Sequence, residues 1–124
     1  MTTKSILLID DEPNLVQVIA VCLESFKGWK VCVVNSGKEG LQIVEALKPD
    51  AILLDVMMPE MDGIEVLQNL QKNPTIQDIP VILLTAKVQT CDRKEYTQMD
   101  VAGIIAKPFD PLKIADEIAQ MLGW

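Results

Sequence analysis

Asp50-Ala51-Ile52-Leu53-Leu54-Asp55-Val56-Met57-Met58-Pro59-Glu60-Met61-Asp62-Gly63 is the stretch that decides the fold. An apolar run of strand length is closed by a carboxylate, and a Pro- and Gly-containing loop follows. The run is continuous rather than alternating, which marks a strand covered on both faces. In open α/β sheets, ligands bind outside the carboxyl ends of the strands. Asp55 therefore stands where such a sheet does its chemistry.

Working outward, three more short apolar runs end in polar groups. Ile6-Leu7-Leu8-Ile9 ends in Asp10-Asp11, Val81-Ile82-Leu83-Leu84 in Thr85, and Gly103-Ile104-Ile105-Ala106 in Lys107-Pro108. A β-branched run, Lys30 to Val34, supplies another strand. Helical spacing fills the gaps. Val16, Ile19, Ala20 and Leu23 follow Pro13 at a first helical position, and Gly28 ends that helix near Phe26. Ser36-Gly37-Lys38-Glu39 fits a capping box, with Leu41, Val44 and Leu47 as the inward face and Pro49 as the stop. A third helix starts at Asp62-Gly63, with Ile64, Leu67 and Leu70 inward and Pro74 beyond its end. Lys87 to Met99 has helical propensity but few apolar anchors: Val88, Tyr96 and Met99. Asp110-Pro111 caps a last helix carrying Ile114, Ala115, Ile118 and Leu122. This alternation predicts five βα units, hence a parallel sheet with right-handed crossovers.

Length and composition agree with one globular domain. The chain has 124 residues, 49% of them hydrophobic and 23% charged. A single domain over 1–124 is expected, with no linker, repeat or second domain. The net charge of −7 argues against nucleic acid or an anionic membrane as the main partner. Cys22, Cys32 and Cys91 are odd in number and lack CxxC spacing, which suits free thiols in a reducing compartment. With no histidine, a zinc site is disfavoured and an imidazole mechanism is excluded. The start runs directly into a short strand, too short for a signal peptide or membrane span, so a cytoplasmic location is expected.

If the first and third strands are neighbours, Asp10, Asp11 and Asp55 converge. Two such charges about 4 Å apart repel by about 4 kcal/mol at an effective dielectric of about 20. A divalent cation or Lys107 offsets that. Hard oxygen ligands favour Mg²⁺, which binds through one or two carboxylates together with phosphate oxygens. Asp55 is then a credible nucleophile towards phosphorus, with Lys107 and Thr85 on the phosphoryl oxygens. Taken singly, each residue has a plainer reading. Asp10, Asp11 and Asp62 can cap helices, Thr85 is a good strand residue, Lys107 suits solvated surface, and Gly63 and Gly103 suit turns. The coincidence of all the polar candidates at carboxyl strand ends favours a site.

With these pieces in place the chain resembles the receiver domains of two-component response regulators (CheY-like), over nearly its whole length. The matching pieces are Ile9-Asp10-Asp11-Glu12, Leu54-Asp55 through Asp62-Gly63, Leu84-Thr85-Ala86 and Ala106-Lys107-Pro108-Phe109. The resemblance implies a flavodoxin-like doubly wound sheet of order 2-1-3-4-5. It implies Asp55 as phosphoacceptor from a histidine kinase or phosphotransfer protein. Mg²⁺ would sit on Asp11, Asp55 and the backbone carbonyl of Met57, with Asp10 acting through a metal-bound water. Thr85 would be the signalling hydroxyl and Lys107 the phosphate-pairing lysine. A stand-alone module follows, switching contacts with an unknown output protein and touching neither nucleic acid nor membrane. A cis Lys107–Pro108 bond is also expected.

The chain departs from the family at Ile104, where a Tyr or Phe is frequent. The response to phosphorylation is therefore expected in residues 86–99, with the Ile104 rotamer unchanged. Three rivals are weaker. A degenerate, non-phosphorylated receiver is at odds with the presence of all the core site residues. A Mg²⁺ phosphatase would want a second Asp where Met57 stands. An FMN protein would want a Ser/Thr/Gly-rich loop where Asp10-Asp11-Glu12-Pro13 stands, which repels phosphate.

Overall fold

The computed structural model describes residues 3–56, 63–85, 101–107 and 109–124. Among the described residues the elements run in the order β1 Ser5–Ile9, α1 Pro13–Lys27, β2 Lys30–Val34, α2 Gly37–Leu47, β3 Ala51–Asp55, α3 Gly63–Lys72, β4 Val81–Thr85, β5 Gly103–Ala106 and a last helix, α4, Ile114–Leu122. The sheet order is β2-β1-β3-β4-β5 and every pairing is parallel. This is the order that the family resemblance implies. The helix expected over Lys87 to Met99, the Met57 carbonyl, the Asp62 cap, Cys91, the Ile64 side chain and the Lys107–Pro108 bond lie outside the described residues.

The pleat sorts the apolar strand residues onto two faces. Ile6, Leu8, Leu53, Ile82 and Leu84 pack with Val16, Ile19 and Leu23 of α1 and Ile114, Ala115 and Ile118 of α4. Leu7, Ile9, Ile52, Leu54 and Leu83 pack with Val44 of α2 and Val66, Leu67 and Leu70 of α3. The central strands β3 and β4 are buried at every residue, as their unbroken apolar runs require. The edge strands β2 and β5 are the exceptions. Lys30 and Val33 of β2 and Ala106 of β5 face solvent, so coverage of both faces does not extend to the edges.

Helix and strand ends follow local chemistry, with three corrections. Pro13 opens α1 and Gly28, at φ 68°, closes it; only glycine takes that left-handed conformation without penalty. Ser36 Oγ accepts the Glu39 amide at 3.2 Å, as the capping box predicts. Leu47, expected inward, is instead exposed. The inward stripe of α2 is Gly37, Gly40 and Val44, and Leu47 lies in the final turn beside the left-handed Lys48, at the rim. Asp110-Pro111 does not cap α4 directly. Asp110 Oδ1 accepts the Leu112 amide at 2.9 Å, and its carbonyl accepts the Lys113 and Ile114 amides at 3.0 and 3.1 Å. That Asx turn occupies the first residues, so the helix starts at Ile114. Strands β3 and β4 each run one residue further than their apolar runs, taking in Asp55 and Thr85. No helix among the described residues is long and apolar enough to cross a membrane.

Register decides where the polar ends fall. Ile9 pairs with Leu54, Asp55 with Leu84, and Thr85 with Ala106. Asp10, Asp55, Thr85 and Lys107 therefore emerge at one edge of the sheet.

Candidate functional site

Asp55 is the last residue of β3 and is 1% exposed, and Asp10, just past β1, is fully buried. Asp11 beside it is half-buried. One carboxylate oxygen from each of Asp10, Asp11 and Asp55 lies within 4.8 Å of the others. The convergence expected from neighbouring first and third strands is thus present, and the donor set is all oxygen. Such a set fits a hard divalent cation and is wrong for zinc.

Among the described residues, the positive charge in this cluster comes from Lys107. Its Nζ lies 3.1 Å from Asp10 Oδ2, 3.1 Å from Glu12 Oε1 and 3.4 Å from Asp55 Oδ2. Burial alone pushes the Lys107 ammonium down, but the charges of Asp10 and Asp55 and the hydrogen bonds to Asp10 and Glu12 outweigh it. The net shift is upward from 10.5, so this lysine stays charged. It is not solvated surface. Its backbone is fixed too, because its amide donates to the Thr85 carbonyl at 2.8 Å. Thr85 itself is fully buried at the end of β4.

Two residues that the sequence offers only within a motif or as a turn take part in the site. Glu12 is one; its signal was a glutamate at an N-cap position, where its side chain is a poor capping group and is left for other work. Gly63 is the other. A Cβ there would lie 2.5 Å from the Asp55 carbonyl oxygen and 2.6 Å from Val56 Cα. Its amide donates to the Val56 carbonyl at 2.9 Å. The start of α3 thus presses on the backbone of Asp55 itself, and only a residue without a side chain permits the approach.

Residues 6–119 match the family model of the response regulator receiver domain. The chain belongs to that family. It is a signalling module of two-component systems, built on the receiver fold. The receiver is 34% identical over 119 residues to the alkaline phosphatase synthesis transcriptional regulatory protein PhoP of Bacillus subtilis, covering 96% of this chain and 48% of PhoP. It is 32% identical over 118 residues to the response regulator Rre1 of Synechocystis, covering 95% of this chain and 51% of Rre1. The chain spans about half the length of these relatives. Among solved structures, the receiver domain of the sensor histidine kinase PA1611 of Pseudomonas aeruginosa superposes with a TM-score of 0.86 at 28% identity, covering 99% of this chain and all of that one. That structure is described as having a magnesium ion coordinated in its active site cleft.

Proposed function

We propose that this receiver takes a phosphoryl group from the phosphohistidine of a sensor histidine kinase, or of a phosphotransfer protein, onto Asp55. One observation carries the reading: a buried carboxylate ends β3 with an ammonium 3.4 Å away and two further carboxylates within 4.8 Å. An Asp55 oxygen attacks phosphorus and a new O–P bond forms as the P–N bond breaks. The imidazole leaves with the bond's electron pair. Lys107 pairs with a phosphoryl oxygen and Thr85 donates its hydroxyl to another. Positioning and charge do most of the work in such a transfer.

Asp11 and Asp55 would hold Mg²⁺, with the Met57 carbonyl as a third protein ligand and Asp10 acting through a bound water. When bound, the ion neutralises charge on the transferred group. The same residues assist the return step, in which water attacks phosphorus, the O–P bond to Asp55 breaks and the carboxylate is restored. The module is not otherwise an enzyme. Residues 1–124 form one receiver domain in this reading, acting in the cytoplasm. Its output is a changed set of contacts with another protein, and the acidic chain, at −7, binds no nucleic acid through this domain.

Incubation with acetyl phosphate and Mg²⁺, followed by intact-mass measurement, tests the assignment. The wild-type chain is expected to gain one phosphoryl group and Asp55→Asn none. An Asp55→Asn chain that still gains the mass overturns it.

A further inference from the structure

Glu12 holds a place that neither the metal ligands nor the phosphoryl contacts account for. It is the N-cap of α1 at φ −95° and ψ 104°, and its side chain makes no capping bond. The carboxylate turns instead to Lys107, Oε1 to Nζ at 3.1 Å, while 59% exposed. Asp10 arranges this. Its Oδ1 accepts the Glu12 amide at 3.0 Å, and its Oδ2 accepts from Lys107 at 3.1 Å. One buried carboxylate thereby fixes both the backbone of Glu12 and the head of the lysine, and Pro13 restricts the exit into α1.

Building on the phosphoacceptor reading of Asp55, we infer that Glu12 is a positioning residue that competes with the phosphoryl group for Lys107. The ammonium stands nearer to Asp10 and Glu12, at 3.1 Å each, than to Asp55 at 3.4 Å. It has three N–H donors and no more. A phosphoryl group brings up to about two negative charges and three strong acceptors to the same donors. Two donors serve Asp10 and Glu12 and the third faces Asp55, so a phosphoryl group on Asp55 that engages more than that third donor displaces one of the first two. Asp10 is fully buried, and a buried carboxylate stripped of its donor loses far more than an exposed one. Glu12 is the exposed partner, so its bond is released. Glu12 thus holds the lysine towards α1 in the resting state and raises the threshold for occupying Asp55.

The test uses beryllofluoride as the phosphoryl probe, titrated at saturating Mg²⁺ and followed by fluorine NMR. Wild type, Glu12→Gln and Glu12→Asp are compared, with thermal melts confirming that each is folded. A partly exposed ion pair is worth a factor of about 2 to 5 in an equilibrium constant, so Glu12→Gln is expected to bind about 2- to 5-fold more tightly. Glu12→Asp keeps the charge but shortens the reach by one methylene, and is expected to follow Gln. Equal or weaker binding by Glu12→Gln overturns the inference, and so does tightening by Gln alone, which would indicate charge without contact. A wild-type chain that binds no beryllofluoride fails the phosphoacceptor reading itself and takes this inference with it.

Discussion

Lys107 Nζ donates to Asp10 Oδ2 at 3.1 Å, a contact between residues 97 apart in the chain. In the sheet, β3 and β4 lie between their two strands, so the lysine reaches back over the ends of both. Asp10 is fully buried and the lysine side chain is 13% exposed. This pair, with Asp55 beside it, is what lets three carboxylates share one sheet edge.

Removing the cation should therefore destabilise the resting fold. Lys107→Met leaves Asp10 and Asp55 buried without it, and a loss of about 1–3 kcal/mol is expected near neutral pH. Urea denaturation measures it. An unchanged midpoint would show that the pair contributes nothing.

The same comparison has a defined pH dependence. The folded-state pKa of Lys107 is raised above 10.5. A raised pKa means that the folded state binds the proton more tightly, so its stabilising effect is complete below the unfolded value and is lost as pH climbs through the folded one. The margin of wild type over Lys107→Met should stay flat from neutral pH to about 10 and narrow above about 10.5. A margin that widens in that alkaline range would contradict the sign.

Cation binding offers an independent check. The oxygens of Asp10, Asp11 and Asp55 lie within 4.8 Å of one another. A ligand that binds only the native state raises its stability, by about 2.7 kcal/mol at 100 times its Kd. Thermal melts should rise with millimolar Mg²⁺ and rise less in Asp11→Ala. An Asp11→Ala chain with the full Mg²⁺ response would remove Asp11 from the ligand set.

Much of this was legible in the residues, for physical reasons. Ile52-Leu53-Leu54 and Ile82-Leu83-Leu84 are unbroken apolar runs because both their faces are covered, so strands and layers could be read together. Asp55 and Thr85 could be placed because polar groups closing such runs fall at one sheet edge once the strands are parallel. Strand order was not legible from periodicity, which is blind to which strands are neighbours; motif resemblance supplied it. Leu47 was misplaced because an apolar stripe does not say where a helix leaves the sheet. The roles of Glu12, visible only as part of a motif, and of Gly63, visible only as a turn residue, are not legible because each acts through one long-range approach, 3.1 Å to Lys107 in the first case and backbone against backbone in the second.

Gly63 yields the sharpest prediction about how the site is built. Gly40 and Gly63 both lie on helices that press against the sheet, yet a methyl group would meet different neighbours at each. At Gly40 it would come within 2.5 Å of Ile9 Cδ1 and 3.1 Å of Ile9 Cγ1, side-chain atoms that can shift without moving the strand. At Gly63 it would come within 2.5 Å of the Asp55 carbonyl oxygen and 2.6 Å of Val56 Cα, backbone that cannot yield without moving the strand end. Neither glycine has positive φ, so the difference is space alone. Overpacking of this kind costs about 1–3 kcal/mol, while alanine regains up to about 1 kcal/mol of helix propensity at either position. Gly40→Ala should be near neutral. Gly63→Ala should lose about 1–2 kcal/mol in urea melts, and should slow phosphoryl transfer to Asp55 from acetyl phosphate beyond what the stability loss explains, because the displaced backbone carries the acceptor carboxylate. If Gly63→Ala is as stable as wild type and is phosphorylated at the same rate, the close approach of α3 does not position Asp55.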